Sequence, residues 1–197
     1  MRVAGIPLGV GLVASDNALF INLSPSYAET LEDGKLFAAL ASTTGEAVAR
    51  INNAKSTGKH YLELEVVAIG YNLILGVQSA GNTNNTNINS SDRYGYSAGN
   101  YANKHDKTNN GTYTNFGINW CVAGYCVGIA YDADVGSVVF YTRTLKTNPL
   151  TLQGTAFTGI PSGLEVFAGF DSYGGKKAKL RIITPMDLPS GFSEWKI

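Results

Sequence analysis

Neither sign of charge prevails in this chain of 197 residues: 15 Lys and Arg stand against 15 Asp and Glu, and charged residues make up only 15%. With no basic stripe to displace counterions from a phosphate backbone, nucleic acid is not an expected partner, and neither is an anionic membrane surface. Cysteine is equally scarce. Cys121 and Cys126, separated by Val-Ala-Gly-Tyr, are the only two, too few for a zinc site that needs four ligands. Two reduced thiols buried on strands are the favoured reading, and a local hairpin disulfide is the alternative. Long apolar runs are missing too. Residues 1–14 imitate a signal peptide, but Pro7 and three glycines interrupt the run, and it is far too short to span a bilayer. No membrane partner is expected, and residues 1–16 read as an apolar arm that packs on its own domain or on a neighbouring subunit.

Catalytic signatures are as sparse. The two histidines, His60 and His105, have no Gly-x-Ser-x-Gly nucleophile beside them, and neither a phosphate loop nor a Gly-x-Gly-x-x-Gly fingerprint occurs. Glu63 and Glu65 alternate on one strand and share a face, as the carboxylates of some jelly-roll glycosidases do. Val66 and Val67 follow, however, where a third positioned acid or an aromatic cleft is needed. If that strand lies at the sandwich edge, the two acids are simply its polar face. Asp132-Ala-Asp-Val-Gly136 has the oxygen spacing of a partial calcium loop without the closing acid, which favours a β-turn with Gly136 at positive φ. The expectation is a protein that is not an enzyme and carries no metal and no cofactor.

What the chain does have is 23 Gly, 11 Tyr and a hydrophobic fraction of 44%, the composition of many short strands joined by tight turns around a full core. Strand-length apolar segments fall at 18–23, 35–40, 47–51, 59–67, 73–77, 124–131, 137–141, 164–170 and 178–183, with turn signals between them, and Ser-Thr-Thr-Gly at 42–45 reads as a hairpin turn. The fold class expected is all-β, an antiparallel β-sandwich.

Two regions break the pattern. Residues 80–119 are rich in Asn and Gly and carry Tyr94, Tyr96, Tyr101, Tyr113 and Phe116, so long loops over the sheet edge are expected there. Tyrosine rings with hydroxyl tips, set among Asn100, Asn103 and other amides, suit a sugar or a peptide backbone. The alternative is that Tyr94 and Tyr96 are core-facing strand residues. Residues 184–197 hold Pro185 and Pro189, which exclude a central strand, yet Phe192, Trp195 and Ile197 are costly to leave in water, so this tail should dock.

Five segments in order resemble the SPRY (B30.2-like) domain family: Gly58-Lys-His-Tyr-Leu-Glu-Leu-Glu65, Tyr94-Gly-Tyr96, Val127-Gly-Ile-Ala-Tyr-Asp132, Val135-Gly-Ser-Val-Val-Phe-Tyr141 and Gly154-Thr-Ala-Phe157. The resemblance covers residues 17–183 and implies a concanavalin-like jelly roll that binds partners. Two departures stand out. Leu62 stands near the place of the family's Trp, and Thr142–Pro149 replaces a short Asn-Gly turn in a loop that helps form the partner surface of animal SPRY proteins.

A bare SPRY sandwich ending in Pro189-Ser-Gly-Phe192 is similar to the stand-alone SPRY proteins of tailed-phage virions. That implies a structural protein of a phage particle, made in the host cytoplasm, on capsid or tail, with other virion proteins as partners and a homo-oligomer or symmetric array as its state. Assembly contacts would come from Val3, Ile6, Leu8, Val10, Leu12 and Val13 of the arm, with Phe192, Trp195 and Ile197 of the tail. The alternative is a host-surface adhesin binding glycan or protein through residues 80–119. More distant is a cellular SPRY adaptor for a short peptide.

Overall fold

The computed structural model describes residues 18–41, 43–84, 88, 90, 92–99, 104–173 and 177–196, with the backbone alone at position 52. Among them are fifteen strands: β1 (Phe20–Asn22), β2 (Ala28–Leu31), β3 (Leu36–Ala39), β4 (Glu46–Lys55), β5 (Lys59–Ala68), β6 (Asn72–Ser79), β7 (Arg93–Gly99), β8 (His105–Asn109), β9 (Thr112–Asn115), β10 (Cys126–Asp132), β11 (Ser137–Arg143), β12 (Thr151–Phe157), β13 (Leu164–Asp171), β14 (Lys179–Ile183) and β15 (Ser193–Glu194). No α-helix occurs among the described residues.

The strands form two sheets. One runs β1-β4-β13-β6-β7-β8-β9 and the other β12-β11-β10-β5-β14-β3-β2, with β15 added to β5. Every pairing is antiparallel except β15 on β5. Period-two alternation decides which side chains meet. Leu62, Leu64 and Val66 of β5, Val127, Ile129 and Tyr131 of β10, and Leu73, Leu75 and Val77 of β6 all enter one core between the sheets. Aromatic rings tie the two layers: Phe37 meets Phe170 at 4.7 Å between centroids, and Tyr96 meets Phe140 at 5.1 Å. The all-β antiparallel sandwich expected from the sequence is the architecture observed.

Two expectations need correction. Residues 80–119 are not mainly loop, because β7, β8 and β9 form a meander within them. Its alternation is hard to see because β9 is exposed throughout and β8 mostly half-buried, so neither strand needs an apolar face. The turn near residues 42–45 does not close a hairpin, since β3 and β4 lie in different sheets and the chain crosses over there. β5 is an interior strand between β10 and β14, so Glu63 and Glu65 are not the polar face of an edge. The segment after Ile183 docks, as its apolar side chains require, on its own sandwich: where β14 leaves β5 at Glu63, β15 pairs with His60 and Tyr61. The arm of residues 1–16 lies outside the described residues.

Candidate functional site

The tyrosine and asparagine set is divided by the pleat. Tyr94 and Tyr96 are two residues apart on β7 and share its inner face. Tyr96 is fully buried, its hydroxyl accepts the Ile118 N–H at 2.8 Å and donates to the Ile118 carbonyl, and its ring meets Phe116 and Trp120 edge-on at 5.2 and 5.8 Å. Tyr94 packs on Phe157 at 5.5 Å. Tyr113 pairs with Thr108, which pairs with Gly95, so it belongs to the outer face and is 50% exposed. Gly95 leaves room there for Ile74, since a Cβ at that position would sit 2.6 Å from Ile74 Cδ1 and force that side chain to move. One member of the proposed binding set is corrected by this: Tyr96 is a core residue, whereas Tyr94 and Phe116 are half-buried against the core and Tyr113 is exposed. Asn100, Tyr101 and Asn103 lie outside the described residues, as do Val3, Ile6, Leu8, Val10, Leu12, Val13 and Ile197.

The paired acids have gone to structural use. Glu63 and Arg143 have side chains 1% and 0% exposed. Arg143 Nε lies 2.7 Å from Glu63 Oε1, a charge contact without hydrogen-bond alignment, and the aligned bond runs from Nη2 to Glu63 Oε2 at 3.0 Å. Tyr61 donates to the same oxygen at 3.2 Å. Its ring lies over β10 because position 128 is glycine, where a Cβ would fall 2.0 Å from the Tyr61 hydroxyl. Burial pushes the Glu63 carboxyl above its ordinary value, with the Arg143 charge opposing the rise. Glu65 is half-buried and pairs with Arg181 at 3.1 Å. A carboxylate so enclosed as Glu63 has no access to a dissolved substrate; its role is to compensate a cation that would otherwise be buried alone.

The cysteines and the calcium-like turn also resolve. Cys121 and Cys126 are buried without a disulfide between them; Cys126 lies on β10 as expected, but Cys121 lies outside the strands, and burial pushes the Cys126 thiol up to about 12, which leaves it un-ionised near neutral pH. Asp132 Oδ1 accepts the Asp134 N–H at 3.1 Å while its Oδ2 meets Lys59 Nζ at 3.0 Å. Gly136 has φ +62°, as the β-turn reading requires.

What sequence reasoning missed is the construction around Arg143. Beyond Glu63, the guanidinium donates to Asp187 Oδ1 at 2.6 Å, to the Asn148 carbonyl at 2.9 Å and to the Lys146 carbonyl at 3.4 Å. Asn148 closes the loop by donating its backbone N–H to Leu145 O at 2.9 Å and its side-chain amide to Thr144 Oγ1 at 2.6 Å. One buried cation thus holds the 144–150 loop and the tail together. Beside its partners in sequence stand Leu145, 55% exposed, and Met186, 60% exposed. The only advance signal was that Arg143 continues the alternation of Tyr141 on a strand. Trp195, proposed as an assembly contact, is 1% exposed: it stacks on Tyr131 at 6.0 Å and donates Nε1–H to Asn53 O at 2.9 Å. Its apolar surface is spent within the chain, leaving half-buried Phe192 as the only accessible described member of the tail set.

Two packed antiparallel sheets with this strand order have the fold of SPRY domains. Comparison with solved structures carries the same fold. The TRIM65 PSpry domain superposes with a TM-score of 0.64 at 16% identity, over 85% of this chain and 92% of that one. The SPRY domain of human HERC1 gives 0.62 at 16%, over 86% and 99%. A human SPRY domain gives 0.58 at 17%, over 80% and 96%. Identities this low speak for fold alone. No family model matches the chain, and no curated protein does.

Proposed function

We propose that this protein is a non-enzymatic protein-binding module and serves as a structural protein of a phage particle, on capsid or tail. The observation that carries the binding role is the exposure of Leu145 and Met186 on segments tied to one buried guanidinium. A loop ordered in advance has little entropy left to lose on contact, so apolar area converts to affinity more efficiently. Each such side chain contributes about 1.5 to 3 kcal/mol when buried, and repetition by symmetry multiplies it. The placement on a particle rests on the sequence resemblance to stand-alone SPRY proteins of tailed phages, with the apolar arm of residues 1–16 as a second contact.

The test is immunoblotting of density-purified particles from cells that produce them, with the wild-type chain beside a Leu145→Asp/Met186→Asp double variant. Wild-type protein in the particle band, and its loss in a variant with an unchanged melting temperature, is the expected result. Absence of the wild type from the band overturns the particle placement; normal incorporation of the variant overturns this binding surface. Adhesion to a host surface is the second reading, favoured by exposed Tyr113 on the open edge strand β9. It requires labelled protein to bind host cells and Tyr113→Ala to weaken that binding.

A further inference from the structure

The two exposed apolar residues of the proposed binding surface belong to different segments. Leu145 lies on the 144–150 loop and Met186 on the returning tail, and the Arg143 guanidinium joins the segments that carry them. Half of the surface therefore rides on residues 184–196, a strap that leaves the sheet where β14 ends at Ile183. Within this strap only Pro189 and Trp195 are buried. One end is clipped by Asp187 Oδ1, 2.6 Å from Arg143 Nη2. At the other end Ser193 Oγ donates to Lys59 O at 3.0 Å, the Trp195 N–H to Tyr61 O at 2.7 Å and Trp195 Nε1–H to Asn53 O at 2.9 Å.

The two ends are unequal. Trp195 buries a large ring in the main core, whereas the Asp187 side chain is 48% exposed, and a half-exposed ion pair holds little on its own. The clip stays closed because Trp195 keeps the strap within reach of Arg143 at high effective concentration. The loop depends on the clip in turn. With Asp187 gone, water gains access to the guanidinium and competes for its bonds to the Asn148 and Lys146 carbonyls.

We propose that the strap is a latch: docking of Trp195 beside β5 assembles the Leu145 and Met186 surface, and release of the strap dismantles it in one step. Two buried residues and the two-residue strand β15 open at lower cost than the interior strands, so the surface can be withdrawn while the sandwich stays folded. This regulation rests on the reading of Leu145 and Met186 as the binding surface, but the latch itself is measured without a partner.

The test is native-state amide exchange of the full chain, followed by NMR for wild type, Trp195→Phe, Asp187→Ala and the double variant. In the wild type the amide at position 195 and that of Asn148, which donates to Leu145 O, are expected to exchange with one opening free energy, below that of Leu75 in the interior of the other sheet. Trp195→Phe should speed both by about tenfold. Asp187→Ala should speed Asn148 alone, and adding Trp195→Phe to it should speed Asn148 no further. Three results each overturn the latch: an amide at position 195 as slow as that of Leu75, Asn148 exchange indifferent to Trp195→Phe, or the same acceleration of Asn148 by Trp195→Phe with and without Asp187. Normal particle incorporation of the Leu145→Asp/Met186→Asp variant removes the binding surface instead and leaves the latch standing, so the two failures are distinct.

Discussion

Each of the two sheets is closed by an added stretch of chain, by different means. On the seven-stranded sheet, Ile88, from the stretch between β6 and β7, enters a satellite core with Val48, Ile74 and Phe167. Beside it runs a polar chain in which Arg93 Nε donates to Gln78 Oε1 at 2.8 Å, Gln78 Nε2 donates to Glu165 Oε1 at 3.0 Å, and Arg50 Nη1 meets Glu165 Oε2 at 3.3 Å. On the eight-stranded sheet the cover comes from the far end of the chain. Asp187 clips to Arg143, β15 adds to β5, and Trp195 enters the main core. The first cover is local and rests on a small separate cluster. The second is non-local and shares the principal core, so its loss should spread further.

The most severe way to break this contrast is Trp195→Ala. It removes the largest buried side chain of the tail, and destabilisation of about 3 to 5 kcal/mol is expected, read as a lower urea midpoint together with faster amide exchange along β5. Ile88→Ala should cost less, about 2 kcal/mol, with faster exchange confined to β6, β13 and the neighbouring outer face. Equal costs, or exchange that spreads equally far in both variants, would remove the distinction between the two covers.

The smallest effect concerns pH. Glu46 Oε2 accepts the Ile88 N–H at 3.0 Å and so fastens the local cover. Burial raises its pKa above 4.5, and the Asp171 charge adds to the rise. The folded state then holds this proton more tightly than the unfolded chain. The resulting stability is fully present below pH 4.5 and is lost as pH rises through the higher folded value. Glu63 and Asp171 are raised in the same direction, so Glu46→Gln should shrink this decline without abolishing it. Urea midpoints across a pH series check it; an unchanged slope would show that Glu46 does not contribute.

Legibility in the sequence followed solvation. β5, β10, β11 and β13 could be read directly because burial forces apolar residues to alternate or to run on without interruption, and that demand is written within a few neighbouring positions. β9 could not, since both its faces meet water and Thr-Tyr-Thr-Asn satisfies any loop as well as any edge strand. The tail was seen to need a docking place from the cost of exposing Trp195, but not where. The tyrosines of the expected binding region were recognised as a group, whereas the pleat sends Tyr96 inward and Tyr113 outward.

The fold class, the main strands and the turn at Gly136 followed from the sequence by itself, because strand period and turn geometry are local properties of the chain. Only the tertiary structure decided that Glu63 serves Arg143, which lies 80 positions away, and that Trp195 closes its own core and leaves no surface for a neighbour. Compensation of buried charge depends on which groups are brought together in a medium that cannot solvate them, and no spacing along the chain encodes that meeting.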